Sequence, residues 1–305
     1  MISPKYLLVL CCVLATVSVS QEESMSPGLK SLVDAERLFA KRCSEKGIRE
    51  SFVEFFADSS VIFRPHPING KKFYLGRPVP QTLPPVLLKW VPSFADVSIA
   101  GDLGYTTGPS VFSDLSPEKK PPDYGAYFSI WKKQNDGTWK VFLDAGLKTS
   151  KPTGALDAPC ASSERDSLRL HELTAGELKS RKETMDSTEL SFELKQQLVG
   201  TLLAYSECVD AEGRMHRNGE LPLVGRDAIV ASLTKARVSI SSRQIFSDIA
   251  QSGDLGFTYG SYEVGERDTD TARERGYFVR VWKLSSGLKW LIVFDTALPI
   301  PGENK

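Results

Sequence analysis

At 305 residues, with 25% charged residues, 23 glycines and 18 prolines, the chain has the composition of an ordinary globular protein, long enough for two domains of roughly 100 to 200 residues each. Its 38 basic residues balance its 38 acidic ones, so the basic excess that phosphate neutralisation demands is missing and nucleic acid is not an expected partner. The same arithmetic excludes disorder, collagen and coiled coil, and no phosphate-cradling, dinucleotide-binding, nucleophile-elbow or zinc-helix motif occurs.

In chain order, residues 1–20 carry one charge, Lys5, then an apolar run from Tyr6 to Val19 and small residues at Ser18 and Ser20. This pattern predicts a secretory signal peptide cleaved after Ser20, hence export to a periplasm or to the medium. The run is shorter than the roughly 20 residues a membrane-crossing helix needs, and no second such run follows, so no permanent membrane span is expected. Cleavage removes Cys11 and Cys12. The remaining Cys43, Cys160 and Cys208 permit at most one internal disulfide. Residues 21–29 read as a mobile tail.

A first domain is expected over residues 30–147. Leu32, Ala35, Phe39 and Cys43, then Ile48, Phe52, Phe55 and Phe56, recur at helical spacing and predict two leading helices. Turns rich in Gly and Asn follow, then a short helix near Val86–Trp90, then strands. Residues 148–163, rich in Pro, Ser, Thr and Ala, read as an exposed linker. The second domain, 164–300, opens on a capping box at Thr174 and Glu177, and Leu194, Leu198, Leu202 and Tyr205 predict the apolar stripe of its next helix.

The two domains are copies of one another. Gly101–Gly108 reads GDLGYTTG and Gly253–Gly260 reads GDLGFTYG. Upstream, His66, Asn69, Gly70, Gly76 and Arg77 reappear in order as His216, Asn218, Gly219, Gly225 and Arg226; downstream, Trp131, Trp139 and Asp144 reappear as Trp282, Trp290 and Asp295. A repeat this long means tandem domains. Trp131 and Trp139 flank Asn135-Asp136-Gly137, and Trp282 and Trp290 flank Ser285-Ser286-Gly287, which predicts one hairpin per copy with the glycine its turn requires. Helices first and strands after give the class α+β.

That order, together with GDLGYTTG, WKKQNDGTW and FLD in one copy and GDLGFTYG, WKLSSGLKW and VFD in the other, resembles the nuclear transport factor two-like superfamily, with its SnoaL-like branch the nearest. The resemblance implies two tandem cone-shaped domains, each with N-terminal helices packed on a strongly curved antiparallel sheet that closes over an apolar pocket. It spans catalysts such as ketosteroid isomerase as well as domains without catalysis, so it leaves function open.

Candidate chemistry centres on Asp144 and Asp295, carboxylates at matching ends of apolar strands, whose pKa burial would raise toward the range of a general base. If each Trp pair lies directly across its ladder, Tyr277 faces Asp295 and Ala126 faces Asp144, with a bulge shifting this by one. Tyr277 and Asp295 would then be the donor and base of a cofactor-free isomerase, dehydratase or cyclase. The alternative is that each Asp only caps its strand end. Arg280, where the first copy has Ser129, is a candidate for an acidic ligand or for stacking on Trp282. His66 and His216 follow Arg64 and Arg214 and precede Asn-Gly turns, as pocket-mouth groups or as surface residues. Three histidines without helical pairing give a metal site no support, and no cofactor is implied. The leading expectation is an exported tandem domain binding a small apolar or weakly acidic molecule; the others are the enzyme above and an interaction module whose cones pack on each other and are filled by side chains.

Overall fold

A computed structural model describes residues 25–82, 85–118, 120–152, 160–162, 172–236, 238–266 and 272–302. The expected signal peptide, residues 21–24 of the expected tail and half of the expected linker lie outside the described residues; the end of that tail is ordered instead, Ser26 capping a helix in which Leu29 is buried.

The first copy opens with α1 (Pro27–Lys46) and α2 (Ile48–Phe55). Ser26 caps α1 by accepting the Leu29 amide at 3.2 Å, Pro27 takes the first position, and Gly47 at φ 82 ends the helix. Leu32, Phe39 and Cys43 are buried as their spacing predicts. Then come β1 (Phe56–Phe63), β2 (Pro67–Asn69), α3 (Gly70–Leu75), β3 (Val86–Trp90), β4 (Phe94–Val97), β5 (Leu103–Asp114), β6 (Asp123–Lys133), β7 (Trp139–Lys148) and β8 (Ala161–Ser162). The second copy repeats the plan with α4 (Ala175–Leu198), α5 (Thr201–Cys208), β9 (Val209–His216), β10 (Leu223–Val224), α6 (Arg226–Ala236), β11 (Val238–Ile249), β12 (Leu255–Glu266), β13 (Ala272–Leu284) and β14 (Trp290–Pro299). The capping box at Thr174 and Glu177 is formed. Strand order is β2-β1-β7-β6-β5-β4-β8, with β3 also on β5, and β10-β9-β14-β13-β12-β11. Pairing is antiparallel except for β1 with β7, β9 with β14 and β4 with β8. The expected α+β class with two tandem domains is the observed one.

Four local expectations are corrected. Val86–Trp90 is a strand, not a helix: all five of its residues pair with β5, from Asp114 to Ser110, which satisfies its backbone without a helix. The short helix sits earlier, at α3, where the Asn69 side chain accepts the Lys72 amide. The linker's end is not exposed: Cys160 is buried against Leu29, Val33 and Ala95, and β8 extends the first sheet. The stripe Leu194, Leu198 and Leu202 faces outward, at 46%, 80% and 38% exposure, because Gly200 at φ 102 breaks the helix between α4 and α5; α4 instead buries Met185, Glu189, Phe192 and Gln196. In the first copy the same outward positions are Lys41, Glu45 and Arg49. The fourth correction concerns the second hairpin, where Leu288, not Gly287, takes the left-handed conformation at φ 56; its counterpart Gly137 has φ 82.

One face of each sheet packs on its own helices, burying Phe39, Phe52, Trp90 and Trp131 in one cone and Phe192, Tyr205, Trp282 and Trp290 in the other. The opposite faces pack on each other through Tyr105, Phe128, Ile130 and Leu143 against Phe257, Val279, Val281 and Phe294, with the Phe128 and Phe294 rings stacked at 4.0 Å. Polar contacts around this core repeat with approximate two-fold symmetry. Lys132 meets Asp248 at 2.5 Å and Lys283 meets Asp96 at 2.6 Å. Asp254 accepts the Ile99 amide at 3.2 Å while Asp102 accepts the Gln251 amide at 3.0 Å. The GD-x-G signature is therefore structural: its Asp tethers the opposite copy, and Gly101 and Gly253 have φ of 67 and 65.

Candidate functional site

Each copy carries a β-bulge in its last strand that decides which residues face the cone. Trp139 pairs with Lys133 and Trp290 with Leu284, two residues off the expected Trp-to-Trp register; the extra residues Phe142 and Val293 add one more. Asp144 therefore pairs with Ser129 rather than Ala126, and Asp295 with Arg280 rather than Tyr277. The expected Tyr277–Asp295 couple does not exist. Tyr277 lies on the sheet face turned toward the first copy, where its hydroxyl is 2.8 Å from Nδ1 of His66 and its ring packs on Phe63.

In the second copy Asp295 is locked. Arg280 Nε donates to Oδ2 at 2.8 Å, Arg217 donates to Oδ1, and Tyr205 donates to Oδ2 at 3.2 Å. Arg280 also donates to the buried Glu189, whose other oxygen accepts from Thr258 at 2.7 Å and Trp282 at 2.8 Å. Its guanidinium lies 3.9 Å over the Phe278 ring and 4.7 Å over Phe192. Two carboxylates thus face two guanidiniums in a nearly dry core. Burial alone would raise the Asp295 carboxyl, but Arg217 and Arg280 hold it below its ordinary value. An acid so stabilised is a poor base.

The first copy has the same frame without the central cation. Glu36, the counterpart of Glu189, accepts from Trp90 at 2.5 Å, from Trp131 at 2.8 Å and from Thr106. Ser129 replaces Arg280 and donates to Asp144 Oδ2 at 2.9 Å; Phe52 replaces Tyr205. Asp144 has no ion-pair partner among the described residues. Burial pushes it up to about 6, against the Ser129 hydrogen bond and the through-space pull of Arg64. Glu36 is pushed by burial to about 7 despite its three donors.

The cavities follow these charges. The second cone retains a space of about 220 Å³ walled by Tyr205, Arg217, Tyr262, Arg280 and Asp295. A cavity of about 750 Å³ opens beside Asp144, bounded by Arg64, Tyr74 and Leu147 and closed on the far side by Asn218, Leu298 and Pro299 of the second copy. A further groove of about 570 Å³ lies beyond Arg64 and Tyr74, between α1, α2 and β3. No group of His, Cys, Asp and Glu among the described residues is arranged to hold a metal ion, and no described helix is long and apolar enough to cross a membrane. Cys43, Cys160 and Cys208 are free thiols.

No protein-family model matches the chain, and no curated protein matches it. Solved structures do. A conserved protein from Planctomyces limnophilus is 16% identical over 40% of this chain and 99% of its own, with a TM-score of 0.34. An NTF-2 like protein of unknown function from Shewanella oneidensis is 14% identical over 38% of this chain and 97% of its own, TM-score 0.33. A ketosteroid isomerase-like protein from Erwinia carotovora atroseptica is 13% identical over 42% of this chain and 98% of its own, TM-score 0.33. Nuclear transport factor two-like and ketosteroid isomerase-like structures are thus what this chain is similar to, each in a stretch the length of one copy.

The remaining candidates separate. His66 is exposed at the contact between the copies. His216 is buried against the Phe294 ring, and burial with Arg217 and Arg214 nearby lowers it to about 3, so it is neutral at ordinary pH and offers no charge to an anion. The two histidines are not counterparts: β1 and β9 align Phe63 with His216 and Arg64 with Arg217, because Val61 pairs with Leu143 as Arg214 pairs with Phe294. Arg280 is held inside the second copy rather than at the domain contact. Sequence reading missed Glu36, Glu189, Arg64 and Arg217. The signal for the first two was present: each lies four residues after an apolar stripe residue, Leu32 or Met185, in the middle of a face that should carry none but apolar groups.

Proposed function

We propose that the chain is an exported, small-molecule-binding tandem domain in which the first cone holds the ligand and the second, closed by its own charge network, walls and supports it. The leader-like sequence of residues 1–20 supports export. One observation carries the binding reading: Asp144, half-buried and without an ion-pair partner among the described residues, faces a cavity of about 750 Å³, a size suited to a drug-sized molecule, whereas Asp295 is sealed between two arginines. Apolar walls from Ile62, Phe63, Leu147 and Leu298 favour a largely apolar ligand, and Asp144 supplies one orienting hydrogen bond.

The test is thermal unfolding of the mature chain across a library of small hydrophobic molecules, beside mass spectrometry of whatever co-purifies. Compounds that raise Tm of the wild type should lose at least half of that shift in Asp144→Asn. A library without hits and a preparation without bound molecules would remove the basis for the reading.

A second reading rests on the same carboxyl. A group titrating near 6 on a cavity wall is poised to take and return a proton, the task of a cofactor-free isomerase, dehydratase or cyclase. In that case the base is Asp144 of the first copy, not Asp295, and turnover should rise with pH through about 6 as the carboxylate forms. Activity independent of pH between 5 and 7 speaks against it.

A further inference from the structure

The groove beyond Arg64 and Tyr74 differs in chemistry from the cavity that holds Asp144. Its floor is apolar: Ile48, Val86, Leu87, Phe112 and Leu115 line it, and Phe112 and Leu115 are exposed at 37% and 56%. Its rim is cationic. Lys46, Arg49, Arg64 and Arg77 border it, and among the described residues that line it none is acidic. Lys46 is neutralised by Glu54 and Arg49 by Glu50. Among the described residues Arg64 and Arg77 have no carboxylate within ion-pair distance; Arg64 interacts with the Tyr74 hydroxyl, and Arg77 lies near it and 5.5 Å over the Phe73 ring. The uncapped first turn of α2, which follows Gly47 with no side-chain hydrogen bond, adds amide donors at the same rim. Two available guanidiniums beside an open apolar trough are electrostatically complementary to one class of molecule, an amphiphile with a planar acidic head.

We propose that this groove binds a single long-chain monocarboxylate, its carboxylate held at the rim by Arg64 and Arg77 and its hydrocarbon tail laid over Val86, Leu87, Phe112 and Leu115. The inference rests on the reading of the first copy as the ligand-bearing one and adds to it a second compartment. Arg64 and Tyr74 border both spaces, so they form the wall between them. Removal of the tail from water supplies affinity in proportion to its length, and the two guanidiniums select the acid over the alcohol.

The probe is dodecanoate, with dodecan-1-ol and dodecylammonium as controls, titrated calorimetrically into the mature chain at pH 7.5 and below micelle-forming concentrations. Dodecanoate should bind about tenfold or more tightly than the alcohol, and the ammonium weakest. Arg64→Gln and Arg77→Gln should each weaken dodecanoate about tenfold while leaving dodecanol unchanged, with unaltered thermal unfolding as the folding control. Equal binding of the acid and the alcohol by the wild type, or no binding of the acid, overturns the proposal without need of any variant. So does binding of anionic vesicles in place of the free acid. Loss of dodecanoate binding in Asp144→Asn but not in the arginine variants places the acid in the larger cavity: the groove proposal then falls and the broader binding reading survives.

Discussion

The residue pair Ser129 and Arg280 decides how the two copies differ. With the guanidinium present, Glu189 and Asp295 are both compensated in the core; with the hydroxyl in its place, the buried Glu36 and the half-buried Asp144 have no ion-pair partner among the described residues and both are raised above their ordinary values. Substitution should expose the contrast. Asp295→Asn leaves Arg217 without its anion and Arg280 with Glu189 alone, and should cost about 3–5 kcal/mol in urea unfolding. Asp144→Asn, whose carboxyl gains little from ionisation, should cost under about 1 kcal/mol and should stabilise above pH 7. The pH dependence has opposite signs at Glu36 and at Asp295. A carboxyl whose folded pKa is raised holds its proton more tightly when folded, so the stability it contributes is full below its unfolded value and is lost as pH rises through the folded one. For Glu36 that window runs from 4.5 to about 7, and the loss is on the order of 2–3 kcal/mol. Asp295, depressed below 3.8, contributes above that value and loses its contribution as pH falls beneath it. The change in unfolding free energy from pH 4.5 to 7.5 should therefore be more negative in the wild type than in Glu36→Gln, since Asp144, Glu193 and His216 contribute alike to both.

At the scale of elements, the helices, strand order and tandem repeat were legible, because apolar spacing and GDLG glycines report backbone geometry directly. The register was not. A Trp-opposite-Trp register places Asp144 by Ala126 and Asp295 by Tyr277, yet turns closing at Gln134–Thr138 and Ser285–Lys289, off the midpoint between the Trp residues, together with the bulges at Phe142 and Val293 move both carboxylates three positions along their partners. Period-two alternation carries no mark of an inserted residue, so the sequence does not disclose that Asp295 pairs with Arg280 rather than with Tyr277. The second hairpin also holds a correctable strain. Leu288, 64% exposed at φ 56, occupies a conformation that costs a side-chain-bearing residue about 1–2 kcal/mol. Leu288→Gly should raise stability by about 0.5–1 kcal/mol in chemical denaturation, the gain reduced by the added freedom of the unfolded chain. On α4 and α5, replacing Leu194 and Leu198 by Lys and Glu, the residues of the first copy, should change stability by under about 0.5 kcal/mol, since neither belongs to the core.

At the scale of the whole molecule, two cones share one core between their sheets, so each is half of the other's solvent shield. Phe128, Phe294, Tyr105 and Phe257 would be exposed if the copies parted, and the paired contacts Lys132–Asp248 and Lys283–Asp96 would open with them. The chain should accordingly unfold in one cooperative transition, and Phe294→Ala, at the centre of the stack, should lower stability by about 3–5 kcal/mol without splitting that transition in calorimetry. Duplication also explains the composite cavity: Leu298 and Pro299 of one copy close the space beside Asp144 of the other. One copy therefore keeps an open chamber and a protonatable acid, and the other narrows its chamber to about 220 Å³ around a neutralised ion network. The measurement that tests this division most directly is a pH titration of the aspartate side-chain carboxyl resonances by carbon-13 NMR. The account predicts a midpoint near 6 for Asp144, absent in Asp144→Asn, and a midpoint below 3.8 for Asp295. Asp144 titrating at or below the ordinary carboxylate value, or together with Asp295, contradicts it.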